Sequence, residues 1–414
     1  MRRMLSTRQA RDGQAGFTLA ELMVAMTGGL FLSIVVFALS RDATRFYQQE
    51  TRVANATLSG VTGFERLFND IARAGHLVTP NIAADPRVCN RPNGAWPAQL
   101  QNLRAVTINT LAPQVAGTEV AAAGVTPMSI DIAGALDMSE ELTIAQVDST
   151  TNAVYIRLDT PAASRMGLDI NATNANNAAR LDALLRPNNV GRAVRITQID
   201  GMEQYAVVQS IQASPSPHVV LAVNPALSFR TSAAGAAQCG IQGFNTGGSL
   251  SVVNFVRYEL RPMVGDADYA AMFQASGLTT GLPYESGRVE LVRTELGPDG
   301  NPILPTREII SEYAVDLRFT AVQATSAINP ALIDLPVANL TNTFASTQLL
   351  RGVHARLSVR SREADRYGDV TGSGGSAAGM YRFQVGAGGS GPQFARVRTF
   401  QSDIALRNLE GANW

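Results

Sequence analysis

The chain has 414 residues, 45% of them hydrophobic and 16% charged, enough to bury at least one sizeable core. Its 34 basic and 34 acidic residues cancel, and since it contains no lysine, every basic side chain except histidine is arginine. A balanced chain without basic runs carries no electrostatic footprint for nucleic acid, and three scattered histidines with two cysteines cannot supply a spaced zinc-ligand set.

Residues 1–16, MRRMLSTRQARDGQAG, set Arg2, Arg3, Arg8 and Arg11 against one acid, Asp12. Residues 17–40 follow as FTLAELMVAMTGGLFLSIVVFALS, in which Glu21 is the single charge. Roughly 20 apolar residues suffice to cross a bilayer as a helix. The arginines ahead of the run place the N-terminus in the cytoplasm and the rest of the chain outside. A cleavable secretory signal fits poorly, because its apolar core usually spans about 7–15 residues and Ser40-Arg41-Asp42 is no small-x-small cleavage site. A plain anchor leaves the Glu21 carboxylate unexplained, since an ionisable group in a membrane helix is costly and implies a partner.

The helical pattern continues beyond Ser40. Phe46, Val53, Leu58, Val61, Phe64, Phe68 and Ile71 recur at helical spacing among Arg45, Gln49, Arg52, Glu65, Arg66 and Asp70. Gly75 and Pro80, the first proline, mark the stop. One helix from Phe17 to about Ala74 would measure roughly 85 Å at 1.5 Å per residue, with Gly28-Gly29 as the place for a curve.

From about residue 100 the period changes to two. Runs at 128–132, 142–147, 153–158, 192–199, 204–211, 218–223, 252–260, 288–294, 313–320, 353–360 and 400–407 read as half-buried antiparallel strands. Gly297-Pro298-Asp299-Gly300-Asn301 is a strong turn. The stretches 171–179, 213–217, 231–249 and 371–391 read as loops, and their glycines lack the strand–loop–helix setting of a phosphate cradle. Asp266, Asp268, Glu363 and Asp365 form acidic doublets without the alternating oxygen ligands of a calcium loop. No nucleophile elbow, Walker loop or paired-histidine motif occurs, so the expectation is a protein without enzymatic activity or cofactor.

Gly16-Phe17-Thr18-Leu19-Ala20-Glu21 ahead of an apolar helix resembles the class III leader of type IV prepilins and type II secretion pseudopilins. The resemblance implies cleavage by a prepilin peptidase between Gly16 and Phe17, methylation of the new N-terminal Phe17, and a docking role for Glu21 toward a neighbouring subunit's ammonium. The later segments Val190–Ile196, Val252–Leu260, Ile310–Phe319, Val353–Arg362 and Arg398–Asn408 resemble, in order, those of the PilW family of minor pilins, although Arg192 stands where an aspartate is commoner there. That likeness implies an α+β fold, with a long N-terminal pilin helix packed on an antiparallel β-sheet carrying an elaborated all-β insertion.

The domains would be a leader at 1–16, a membrane or filament-core half-helix at 17–40 and an amphipathic half at 41–75. A variable β-rich region at 80–250 and a pilin-type sheet at 251–414 would follow. Implied partners are the prepilin peptidase, other minor pilins, the major pilin and a large tip adhesin, with no nucleic acid. The expected location is the inner membrane, with the globular part in the periplasm, and then the pilus at the cell surface. A J-type pseudopilin of type II secretion and a membrane-tethered β-domain with a binding function stand as alternatives. In an oxidising compartment Cys89 and Cys239 have two readings, a disulfide or two separate buried thiols.

Overall fold

The computed structural model describes residues 18–110, 115–148, 150–228, 248–263, 265–271, 287–326, 331–335, 340, 343–364, 382–385 and 393–412. The chain divides into two units, Met1–Val53 and Ala54–Trp414. One helix, α1 (Leu19–Ala72), contributes residues to both. It passes unbroken through Gly28-Gly29, where the sequence suggests a curve. Each glycine weakens a helix by only about 1 kcal/mol relative to alanine, and no proline removes an amide donor there.

In the second unit, α1 ends where Gly75 adopts φ +74°, a conformation that glycine reaches without a Cβ clash. The Gly75 amide donates to the Ala133 carbonyl at 2.9 Å, and Asn408 Nδ2 donates to the Ala74 carbonyl at 3.1 Å. The buried stripe of this stretch comprises Leu67, Ile71 and Ala74, flanked by the partly buried Phe64 and Phe68. Leu58 and Val61, assigned to that stripe by spacing, lie outside it, with Leu58 68% exposed.

Ten strands form the larger sheet among the described residues. They are β1 (Val106–Asn109), β2 (Ser129–Gly134), β3 (Leu142–Asp148), β4 (Ala153–Ile156), β5 (Ala193–Thr197), β6 (Glu203–Gln212), β7 (His218–Leu221), β8 (Ser249–Arg261), β9 (Glu290–Leu296) and β10 (Glu308–Ser311). The 13-residue β8 organises them. Its first half pairs with β3 on one side and β5 on the other, so that β8-β3-β4-β7-β6-β5 closes on itself as a six-stranded barrel. Its second half pairs with β2 and β9, where Arg257 grips its cross-strand partner Asp131 through two bonds of 2.7 and 2.8 Å. The smaller sheet runs β12 (Leu332–Leu335), β11 (Ala314–Ala324), β13 (Leu350–Arg360), β15 (Gln393–Ala405), β14 (Arg382–Val385). All pairings between these strands are antiparallel.

Period-two alternation sends the two faces of the barrel strands into different cores. Ile144, Val154, Val194, Ile196, Ala206, Val219 and Val252 fill the barrel interior. Ala193, Tyr205 and Val253 face outward, under Val78, Ile82, Val88, Trp96, Leu100 and Leu103 from the segment that follows α1. A third core joins the end of α1 to both sheets, through Leu67, Ile71, Val256, Leu260, Leu317 and Leu357.

The region read as an all-β insertion also contains helices. These are α2 (Ala98–Gln101), α3 (Glu119–Ala122), α4 (Pro161–Arg165) and α5 (Asn174–Leu185). Helix α5 corrects the loop reading of 171–179. Thr173 caps it by accepting from the Asn176 amide, and Leu181 and Leu185 enter the barrel core. Its fully buried Asn177 closes the preceding turn through bonds of 3.0 and 2.8 Å to the backbone of Asp169. Asn174 and Asn177, which read as loop, are therefore helix residues whose side-chain amides donate to the backbone carbonyls of Pro215 and Asp169.

Candidate functional site

The first residues of α1 form a reciprocal cap. The Thr18 amide and hydroxyl each donate to Glu21 Oε2 at 3.0 Å, and Thr18 Oγ1 accepts from the Glu21 amide at 3.3 Å. This is the capping box of a Thr-x-x-Glu sequence, which satisfies helix-end donors in both directions. From Leu19 to Leu39 the large apolar side chains are all exposed, Val35 least at 52% and Leu19 most at 78%. The hydroxyls within the run fold back on the helix. Thr27 donates to the Met23 carbonyl at 2.9 Å and Ser33 to the Gly29 carbonyl at 2.8 Å. Such back-bonding satisfies the Thr27 and Ser33 hydroxyls within the helix, and by its length and composition the helix is apolar enough to cross a membrane. Gly16 and Phe17, the implied cleavage and methylation residues, lie outside the described residues.

In the second unit the end of α1 is fixed by a buried polar network. Asp70, 2% exposed, accepts from Tyr258 OH at 2.7 Å and from Arg293 Nε at 2.9 Å. Arg293 continues to Asp137 at 3.2 Å, and Asp137 meets Arg192 Nη2 at 3.0 Å. Arg192 also holds Glu295 by two bonds of 2.8 and 2.7 Å, while Asn254 donates to both Asp137 and Glu295. Burial and the neighbouring Asp70 carboxylate push the Tyr258 phenol well above its ordinary range. Arg293 is likewise held charged, because Asp70, Tyr258 and Asp137 outweigh its desolvation. Arg192 is the bidentate partner of Glu295 and also meets Asp137, so an aspartate at this position would face two carboxylates.

A second network lies beside β5 and β6. Arg87 bonds Asp85 at 3.2 and 3.1 Å, Arg195 donates to Glu203 at 2.6 Å, and Tyr205 OH donates to Glu203 and accepts from the Thr79 amide. Burial raises the Tyr205 phenol far above its usual value. Helical spacing counts Asp70 among the polar residues between the apolar positions of α1, and nothing local marks Arg195 or Arg293 as buried. The signal that could have found Asp70 is its spacing from Leu67, Ile71 and Ala74, which places it on the buried stripe of α1.

The remaining flagged residues stay apart. His218 packs against the Tyr155 ring at 4.6 Å and contacts the Ser216 carbonyl at 2.7 Å. His354 lies on the open face of the smaller sheet between Asp403 and Asp334, where the hydrogen bond to Asp403, followed by that to Asp334, raises its pKa. Asp266 begins a helical turn and pairs with Arg307. Among the described residues no group of histidine, cysteine or acidic side chains is placed to hold a metal. Asp365 and Cys239 lie outside the described residues. Cys89 is disulfide-bonded and is pinned beside β6 by its amide, which donates to the Glu203 carbonyl at 2.9 Å. No family model, curated protein or solved structure matches this chain.

Proposed function

We propose that the chain is a minor pilin, a non-enzymatic subunit that helps prime or cap a type IV pilus after processing in the inner membrane. The observation that carries this reading is the exposed apolar stretch Leu19–Leu39 directly behind Gly16-Phe17-Thr18-Leu19-Ala20-Glu21. A helix that keeps its apolar side chains uncovered in the subunit needs hydrocarbon or other helices to cover it, and a filament core supplies the second once a membrane has supplied the first. On this reading Glu21 meets the ammonium of a neighbour's Phe17, and the other partners are sibling minor pilins, the major pilin and a tip adhesin. N-terminal sequencing of protein recovered from membranes tests it. A mature chain beginning at Phe17 is expected, and any other start refutes the leader assignment.

A second reading, a membrane-tethered β-domain, draws on the capping box, because a cap accounts for the Glu21 carboxylate without a neighbour. Two substitutions separate the readings. Glu21→Gln keeps a side-chain acceptor for the cap but removes the charge, whereas Glu21→Val removes both. A filament subunit loses incorporation into sheared pili in both variants. Wild-type incorporation by Glu21→Gln leaves the cap as the whole role of this residue, and absence of the wild-type chain from sheared pili favours the tether.

A further inference from the structure

Strands β14 and β15 pair at one side of the smaller sheet, and their two faces differ in kind. Phe383, Val385, Ala395 and Val397 alternate onto one face and are buried in the core that also holds Leu67 and Ile71. The other face carries Arg382, Arg396 and Arg398. Arg382 stands directly opposite Arg396 in the register. Side chains so placed have Cβ atoms about 4.5–5.5 Å apart, and like charges there destabilise the pair of strands. Arg398, two residues along β15, shares the face and is exposed.

Three observations separate this face from an ordinary solvated one. Among the described residues, neither the Arg382 nor the Arg398 side chain has a carboxylate partner. Arginines of the neighbouring strand β13 do have one, Arg356 pairing with Asp316 and Arg360 with Glu119. Secondly, Arg382 is half-buried, and its Nη1 is enclosed without a hydrogen-bond partner while Nε and Nη2 stay accessible. An enclosed donor left unpaired is costly in a finished structure. The third is the charge balance. The Ser361 amide donates to the Arg396 carbonyl at 2.8 Å, which brings Arg362 and Glu363 to this end of the sheet, where the two cancel in formal charge. The arginines of the face therefore keep their surplus, and nothing in the packing of the sheet calls for it.

We propose that this face of β14 and β15 binds a phosphate group, gripped between Arg382 and Arg398, with Arg396 adding to the positive field between them. Diagonal positions across an antiparallel pair lie about 7–8 Å apart, within the reach of long side chains, so the two forks can close on one tetrahedral anion. Arginine suits bidentate contact with phosphate oxygens, and a dianion answers a surplus that a single carboxylate would leave unfilled. The source is either a free phosphate ester or the phosphate of a lipid headgroup. The inference stands apart from the assembly role, because none of these residues belongs to α1 and the site needs no neighbouring subunit.

Calorimetric titration of the detergent-solubilised full chain tests it with inorganic phosphate, glycerol 3-phosphate, dihexanoyl phosphatidic acid and acetate, all at one ionic strength because salt screens exposed charge. Both phosphate and glycerol 3-phosphate are expected to bind saturably, and acetate much more weakly. Arg382→Gln should weaken phosphate binding about tenfold, the usual effect of losing a charge-assisted bond, and the exposed Arg398→Gln about threefold. Folding is checked separately by urea unfolding. Arg382→Gln relieves the opposition to Arg396 and should leave the midpoint unchanged or higher, whereas added phosphate should raise the midpoint of the wild type more than that of the variant. Tighter binding of the phosphatidic acid than of glycerol 3-phosphate assigns the site to a lipid headgroup, and equal or weaker binding assigns it to a free phosphate ester. Absence of saturable phosphate binding, equal binding of acetate, wild-type affinity in Arg382→Gln, or a lowered midpoint in that variant overturns the proposal.

Discussion

Replacing Asp70 by alanine tests how the end of α1 is held. Asp70 is 2% exposed, and its Oδ2 accepts both the Tyr258 hydroxyl at 2.7 Å and Arg293 Nε at 2.9 Å. Arg293 is itself 4% exposed, so the substitution strands a buried cation whose remaining acid is Asp137 at 3.2 Å. Breaking a buried pair by removing one partner costs about 3–5 kcal/mol, which lowers the folded-to-unfolded ratio roughly 150- to 5,000-fold, since about 1.4 kcal/mol is tenfold. Tyr258→Phe removes one charge-assisted bond and should cost about 1.5–3 kcal/mol. The paired change Asp70→Leu with Arg293→Met removes both charges, leaves Asp137 with Arg192 and Asn254, and should recover most of the loss. Urea unfolding of the full chain in detergent measures these differences through the fluorescence of Trp96, which is buried against the larger sheet. A loss under about 1 kcal/mol for Asp70→Ala, or a double variant no better than the single one, would refute the argument that an uncompensated charge is what the network prevents.

Gly63→Ala should lower the urea midpoint although alanine favours helix by about 1 kcal/mol. A Cβ there would stand 2.8 Å from the Cβ of Ser311 and 3.0 Å from the Ile310 carbonyl oxygen, so helix and β10 must part, and an unchanged or higher midpoint contradicts that. Gly191→Ala should be more damaging, since its Cβ would come within 1.8 Å of the Val208 carbonyl oxygen inside the barrel; normal soluble yield and midpoint would speak against the closed β5–β6 pairing. For His354, Asp403 and then Asp334 raise the folded-state pKa. Its stabilising contribution is thus complete below the ordinary histidine value of about 6.5 and disappears as pH rises through the higher folded value. Wild type and His354→Asn should accordingly differ most in acid and converge in alkali, and parallel stability profiles between pH 5 and 9 would refute this.

The strands with strict alternation were legible. In 353–360 and 400–407 the apolar residues share a face, and the register sets Leu357 opposite Phe400 and His354 opposite Asp403. The turn at 297–301 is also where the sequence puts it, closed by the Gly297 amide on the Asn301 carbonyl at 2.8 Å. Closure of the barrel left no local trace. It depends on Ala193–Thr197 pairing with Ser249–Val253, more than fifty residues away, and on β8 serving two sets of partners along its length. The four-residue strands β1, β10, β12 and β14 were not singled out, whereas β4 and β7, equally short, were read from their apolar runs. At the candidate sites Glu21 was legible as a lone charge in an apolar run. Asp70, Arg195 and Arg293 were not, because hydropathy treats a charge as a surface residue and cannot see that another element, distant in sequence, carries its counter-charge.

The capping box and the proposed docking role of Glu21 need not exclude one another. Both bonds from Thr18 end on a single oxygen, Oε2, and a carboxylate has about four lone-pair sites over two oxygens. The cap fixes the side chain at the first turn of α1, where it would otherwise choose among rotamers, and leaves Oε1 for a cation. Holding the carboxylate in place removes part of the entropy that an ion pair between subunits must overcome. Thr18 then becomes a positioning residue for the proposed contact. Thr18→Val, which keeps the shape of the side chain but loses the hydroxyl, should weaken incorporation less than Glu21→Gln does if the charge is primary, and more if the cap is.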